Sequence, residues 1–220
     1  MPAKDVIEIA RGELGVTESP PGSNRIKYWD DWPGWQGQPW CVAFLYWVFH
    51  HAGEGSAFCA GAKTASCGTL YRWYKEQGLT VPKHDVQPGD IVILNFRGTA
   101  ETQHCGLVVD VGDGNWIQTV EGNTSPGMEG SQDNGGCVAS KIRTMAQIVG
   151  VCRPIYKEEP TMLPENDYYS THWAVKDIDW CIEHGILTGY PDGTFQPDKP
   201  ITRAELAVVC RRIIKYVKGG

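Results

Sequence analysis

Nowhere does this 220-residue sequence approach the roughly 18 consecutive apolar residues that a membrane-spanning helix needs, so no membrane span is expected. Basic charge is also scarce: 20 Lys and Arg stand against 26 Asp and Glu, a formal net charge of −6. At an isoelectric point of about 5.5, no positive field invites a nucleic-acid partner. The first residues, Met1-Pro2-Ala3-Lys4-Asp5-Val6-Ile7-Glu8, interleave charge with apolar side chains and lack the apolar block of a secretory signal. Synthesis in the cytoplasm without a leader is the expectation. No Cys-x-x-Cys occurs among the eight cysteines, and the Cys and His residues miss the usual zinc spacings, which argues against a structural metal. Disulfide frameworks belong to small secreted domains, so reduced thiols are expected, with a link between Cys59 and Cys67 left open.

What is present begins with Trp40-Cys41-Val42-Ala43-Phe44-Leu45-Tyr46-Trp47. This apolar segment lasts about a dozen residues before Gly53, a length that favours a core helix over a strand. Cys41 then falls in the first turn, where unpaired amides and the helix dipole favour thiolate. Free cysteines also serve as inert core hydrophobes, so Cys41 needs partners before it counts as a nucleophile.

Around it, residues 3–14 read as an amphipathic helix with Val6, Ile9, Ala10 and Leu14 on one side, and residues 67–77 as another helix stopped by Gly78. From Pro88 onward the pattern is strand-like: 90–96, 105–111, 115–120, 137–142 and 147–153 are rich in Val and Ile, with Asp113-Gly114 turning a hairpin. Helices followed by an antiparallel sheet define an α+β domain. The charged, proline-punctuated stretch 157–167 reads as a linker between a domain at 1–156 and a module at 168–220. In that module Thr171 caps a first helix closed by Gly185, and Thr202-Arg203-Ala204-Glu205 has capping-box spacing ahead of Leu206, Val209, Cys210, Ile213 and Val217.

A thiol nucleophile needs a base, and the base needs a group that holds its ring. Six histidines compete. His50 and His51 lie roughly 13 to 15 Å along the same helix from Cys41, too far to serve it. His84 sits in a polar loop, and His172 and His184 belong to the second module. His104 remains, opening the strand His104-Cys105-Gly106-Leu107-Val108-Val109-Asp110, while alternation sends Cys105 to the opposite face and argues against a second nucleophile. The next strand ends in Thr119-Val120-Glu121-Gly122-Asn123, where Glu121 can accept the other ring N–H and fix the tautomer.

Pro39-Trp40-Cys41-Val42-Ala43-Phe44, Gln87-Pro88-Gly89-Asp90-Ile91-Val92, His104-Cys105-Gly106-Leu107-Val108-Val109 and Val120-Glu121-Gly122-Asn123-Thr124 together resemble the CHAP family, cysteine- and histidine-dependent amidohydrolases and peptidases that cut bacterial peptidoglycan. The resemblance implies a papain-like α+β fold with Cys41 as nucleophile, His104 as base, Glu121 as its orienting group and Asn123 as a further polar member. Gln38 is a candidate oxyanion donor. Trp35 and Trp40, with Trp29 and Trp32, are candidates to line a groove for glycan or stem peptide, although aromatic packing explains them too. Some members of the family bind calcium beside the cysteine; here Asp30 and Asp31 are followed by Trp32-Pro33-Gly34-Trp35, which lacks alternating ligands, so neither metal nor cofactor is expected.

His172-Trp173-Ala174, the run from Gly185 through Gly189-Tyr190-Pro191-Asp192-Gly193 to Phe195, and Ile201-Thr202-Arg203-Ala204-Glu205 resemble one S-layer homology (SLH) repeat. That resemblance implies a small helical module binding a secondary wall polymer, with Arg203, Trp173 and Asp192 as candidate contacts. A guanidinium suits a carboxylate-bearing sugar because its donors form a flat fork. Such repeats usually come in threes, so a single copy implies self-association or a docking role.

The two resemblances together imply a phage-type lysin: a peptidoglycan hydrolase, amidase or endopeptidase, tethered to a wall-targeting module and reaching the wall after holin-dependent release. Two rivals remain, a thiol acyltransferase that uses an amine in place of water and a noncatalytic wall-binding protein with a decayed hydrolase domain.

Overall fold

The protein was analysed as a computed structural model, which describes residues 3–99, 101–112, 114–127, 129–157, 172–190 and 194–219. Asp113, Thr171, Asp192 and all of the expected linker except Lys157 lie outside the described residues. The chain divides into two compact units, Met1–Lys157 and Glu158–Gly220.

In the first unit, helix α1 (Lys4–Gly12) buries Val6, Ile7 and Ala10. The inward stripe differs from the expected one: the helix stops at Gly12, so Leu14 lies beyond it, 43% exposed, and Ile7 takes an inward place. Helix α2 (Cys41–His51) is buried on nearly every side, as an apolar helix without a polar face must be. Its last turn is closed from within, since ring nitrogens of His50 and His51 each lie 2.9 Å from the carbonyls of Tyr46 and Trp47. Helix α3 (Cys67–Glu76) starts at Ser66, whose hydroxyl accepts the Thr69 N–H at 3.3 Å, and turns Cys67, Leu70 and Tyr74 inward.

Six strands follow: β1 (Thr80–Val81), β2 (Ile91–Leu94), β3 (His104–Val111), β4 (Trp116–Thr124), β5 (Cys137–Thr144) and β6 (Ile148–Cys152). They form one antiparallel sheet in the order β1-β6-β2-β3-β4-β5. Five of them match the Val- and Ile-rich segments; β1 was not expected, being two residues long and too short to carry a periodic signal. The architecture is α+β, as helices followed by strands required.

Helix α2 lies on β3 and β4, and its approach depends on Gly122: a Cβ there would meet Phe44 at 2.5 Å and the Trp40 ring at 2.8 Å. The main core fills this interface, with Val42, Phe44, Leu45 and Phe49 against Ile93, Leu107, Val109 and Val120. Each fully buried side chain of this size contributes about 1.5–3 kcal/mol, so α2 is anchored firmly and the residue at its start is held in place. Val92, Leu94, Val108, Ile117, Ile148 and Val151 form a smaller cluster on the other face of the sheet.

The second unit contains α4 (Val175–Glu183) and α5 (Arg203–Gly219). The capping box is formed: Thr202 N–H donates to Glu205 at 2.8 Å, and Glu205 N–H donates to the Thr202 hydroxyl at 3.2 Å. The expected apolar stripe of α5 does not form a buried core, since Leu206, Ile213 and Val217 are all exposed.

Candidate active site

Cys41 occupies the first residue of α2 and is 5% exposed, buried but reaching the surface. Cys67, at the first residue of α3, brings its sulfur to 3.6 Å from that of Cys41. Cys105 joins them, and the three sulfurs lie within 4.8 Å of one another. All eight cysteines are free, as expected of reduced thiols, and the Cys59–Cys67 link left open by the sequence is not formed; Cys67 faces Cys41 instead. Alternation does send Cys105 away from the face of His104, and α2 covers the face Cys105 takes, so Cys105 arrives beside the nucleophile candidate.

The three thiols do not titrate alike. S–H donation from Cys105 and Cys67 holds the Cys41 thiol well below its usual range despite burial, and His104 lowers it further. Burial and the neighbouring Cys41 sulfur push Cys105 far up. Cys67 is also driven up, donation from Cys105 being outweighed by its hydrogen bond to Cys41 and by burial. Of the three, Cys41 is thus the sulfur whose thiolate is favoured, at a helix start whose first amides have no intrahelical acceptor.

His104 is fully buried at the start of β3, its ring beside Phe96. Nε2 lies 3.0 Å from Glu121 Oε2, while Nδ1 is buried without a hydrogen-bond partner. Burial favours the neutral ring, but the Cys41 sulfur and Glu121 outweigh it and hold the imidazolium to about 9. Glu121 is equally buried. Burial raises its carboxyl, yet Arg143 and His104 bring it down to about 2. Arg143 grips both oxygens, Nε to Oε1 at 2.8 Å and Nη2 to Oε2 at 2.6 Å, and the Thr119 hydroxyl donates to Oε1 at 2.6 Å. Room for the carboxylate comes from Gly106, where a Cβ would lie 2.7 Å from Glu121 Cγ.

Cys41, His104 and Glu121 are therefore brought together. Asn123 is buried two residues further along β4 at φ +60, its side chain donating to Asn134 and accepting from Gly136 N–H. Those contacts tie the loop before β5 rather than His104. Gln38 is exposed, and its carbonyl accepts the Trp29 indole N–H. Trp35 is 45% exposed and stacks on Trp29 at 5.8 Å, but Trp40 is fully buried and donates to Glu18. Trp40 is a core residue and does not line an open groove, because α2 and Gly122 enclose it. In the second unit, Arg203 is exposed and Trp173 is 87% exposed on the rim of a cleft of about 470 Å³ with Tyr190, Phe195 and Glu205.

Sequence reasoning missed Arg143, Thr119 and the two extra thiols. In the second half of β5 the buried positions are Lys141 and Arg143 while Ile142 is 55% exposed, the reverse of what hydrophobic alternation suggests. The basic residues turn inward because acceptors await them: Ser125 and Gly127 carbonyls for Lys141, Glu121 for Arg143. Among the described residues, the three thiols are the one cluster of three or more ligand-bearing side chains close enough to share a cation; Asp30 and Asp31 form none.

Residues 32–123 match the CHAP domain model and residues 166–207 the S-layer homology domain model, so the chain carries both. It is 48% identical over 56 residues to Cell surface glycoprotein 1 of Acetivibrio thermocellus, 26% of this chain and 2% of that protein. It is 47% identical over 49 residues to the Cellulosome-anchoring protein of the same organism, 22% of this chain and 11% of the relative. Over 77 residues it is 32% identical to S-layer protein EA1 of Bacillus anthracis, 35% of this chain and 9% of the relative. The chain thus spans only a small part of these curated relatives. Among solved structures it is similar to a wild type endolysin, LysIME-EF1, at 17% identity and a TM-score of 0.41, covering 70% of this chain and 65% of that one. It is also similar to Ly7917 at 19% identity and a TM-score of 0.40, covering 69% and 62%.

Proposed function

We propose that the first unit is a peptidoglycan hydrolase that cuts an amide bond with Cys41 as nucleophile and His104 as base. The observation that carries this reading is the buried His104 held by Glu121 and Arg143, whose ring and the Cys41 sulfur each favour the other's charged form. An imidazole held by a carboxylate, itself fixed by a guanidinium, keeps one tautomer and one orientation. Cys41 is stored as thiolate against imidazolium. The sulfur attacks the amide carbonyl, the free amides at the start of α2 stabilise the oxyanion, and His104 delivers its proton to the departing amine. Water, deprotonated by His104, then hydrolyses the thioester. Glu121 and Arg143 act through His104 as positioning residues. Exposed Trp35 is suited to stacking on a sugar face beside the site.

The second unit attaches the enzyme to wall polymer. The SLH match and the relatives named for S-layers and cellulosome anchoring support that role; the cleft lined by Trp173 and Tyr190 offers aromatic faces for a sugar, and exposed Arg203 at the start of α5 is a guanidinium candidate for its acid group. Exposed Leu206, Ile213 and Val217 on α5 suit pairing with a second copy of the module.

Cys41→Ala tests the chemistry: lysis of purified walls is lost while the circular dichroism spectrum and wall binding are retained. Full activity in this variant removes the thiol mechanism. Mass spectrometry of wild-type digests tells amidase from endopeptidase by the new termini, and fragments heavier by one water per cut exclude transfer to an amine.

A further inference from the structure

We propose that Cys41, Cys67 and Cys105 form a site for a thiophilic divalent cation of the zinc class, with the fourth position left to water. A tetrahedral ion with metal–sulfur distances of about 2.3 Å needs its sulfurs about 3.8 Å apart. Cys41 and Cys67 already stand at 3.6 Å, and no pair of the three exceeds 4.8 Å, so shifts below about 1 Å complete the cage.

The donors come from three anchored places, the first residues of α2 and α3 and the start of β3. Thiolates select soft cations and reject calcium and magnesium, which require oxygen ligands. The ion enters from the side of Cys41 and Cys67, 5% and 7% exposed, since Cys105 has no surface.

Binding conserves charge. The cation takes the Cys41 thiolate, displaces one proton each from Cys67 and Cys105, and releases two protons to solvent. The occupied site holds the lone pair of the nucleophile, so metal and amide substrate exclude each other. That competition rests on the hydrolase reading; the binding does not.

The experiment is a cobalt(II) titration of the reduced full chain. The expected result is saturation at one equivalent, with intense sulfur-to-cobalt charge transfer in the near ultraviolet, tetrahedral visible bands, and displacement by zinc. Cys67→Ser and Cys105→Ser each weaken binding by more than about tenfold, the least seen on loss of even an outer-shell partner. Cys59→Ser leaves it unchanged. A wild-type spectrum without charge transfer at stoichiometric metal overturns the proposal, whether or not the variants fold. Undiminished affinity in Cys67→Ser and Cys105→Ser overturns it too. Zinc inhibition of wall lysis, reversed by a chelator, is the expected consequence. Intact cobalt binding in a chain that never lyses walls strikes the hydrolase reading alone.

Discussion

Replacing Arg143 with Met removes the guanidinium that grips both oxygens of buried Glu121 while leaving an unbranched side chain of similar reach. Each charge-assisted bond contributes about 1.5–3 kcal/mol, and breaking a buried pair from one side costs about 3–5 kcal/mol, overlapping measures of the same loss. A stability loss of about 4 kcal/mol at pH 7 is expected. The pH dependence supplies an independent magnitude. Glu121 falls from its ordinary 4.5 to about 2 on folding, so the unfolded chain binds the extra proton between those values. Its contribution is fully present above about 4.5 and is lost as pH falls towards 2, a difference worth about 3 kcal/mol at 1.36 kcal/mol per unit. Without Arg143 the carboxyl is held down only by His104 and Thr119, so it rises and the acid limb of stability moves to higher pH. Urea unfolding from pH 3 to 8, followed by near-ultraviolet circular dichroism, measures both effects, with Arg143→Lys falling between the two. A Met variant within about 0.5 kcal/mol of wild type and with the same acid limb would refute the account of Glu121 given above.

Gly106→Ala places a methyl 2.7 Å from Glu121 Cγ and 3.3 Å from Thr119 Cβ, and the displaced carboxylate no longer orients His104. Wall-lysis rate is expected to fall by up to about 100-fold, with a stability cost of about 1–3 kcal/mol; an unchanged rate would contradict the positioning role. Iodoacetamide at pH 6 is expected to modify Cys41 well before Cys59, whose thiol burial pushes up to about 12, and peptide mapping reports the order. His104 is raised on folding from 6.5 to about 9, so lysis holds between the depressed Cys41 value and about 9 and declines above it; a rate still rising beyond pH 9 contradicts the stored ion pair. Deleting residues 158–220 is expected to abolish sedimentation with purified walls while leaving turnover of a soluble muropeptide within about twofold. Equal loss on both substrates argues against a separate targeting unit.

Local chemistry is what the amino-acid order settled. Continuous apolarity over about three turns made α2 a core helix and placed Cys41 at its start; Val- and Ile-rich runs gave five of six strands; Thr202 and Glu205 spelled a capping box that forms. Each signal is carried by residues within a turn or a strand of one another, so periodicity and capping reveal it directly. The pairing of His104 with Glu121 was also legible, because adjacent antiparallel strands bring such positions side by side.

Tertiary structure decided what depends on which face is covered and what waits there. Cys105 was correctly placed opposite His104, yet only the docking of α2 on that face made it a neighbour of Cys41, and only the position of α3 delivered Cys67 from 26 residues away. Trp40 became core because Gly122 lets the helix close over it, and Arg143 turned inward against the hydrophobic pattern because a buried carboxylate was there to receive it. Short-range order follows from backbone geometry and side-chain type, whereas the choice between a thiol that is inert and one held as thiolate is made by charges and donors brought together across the sheet and helices.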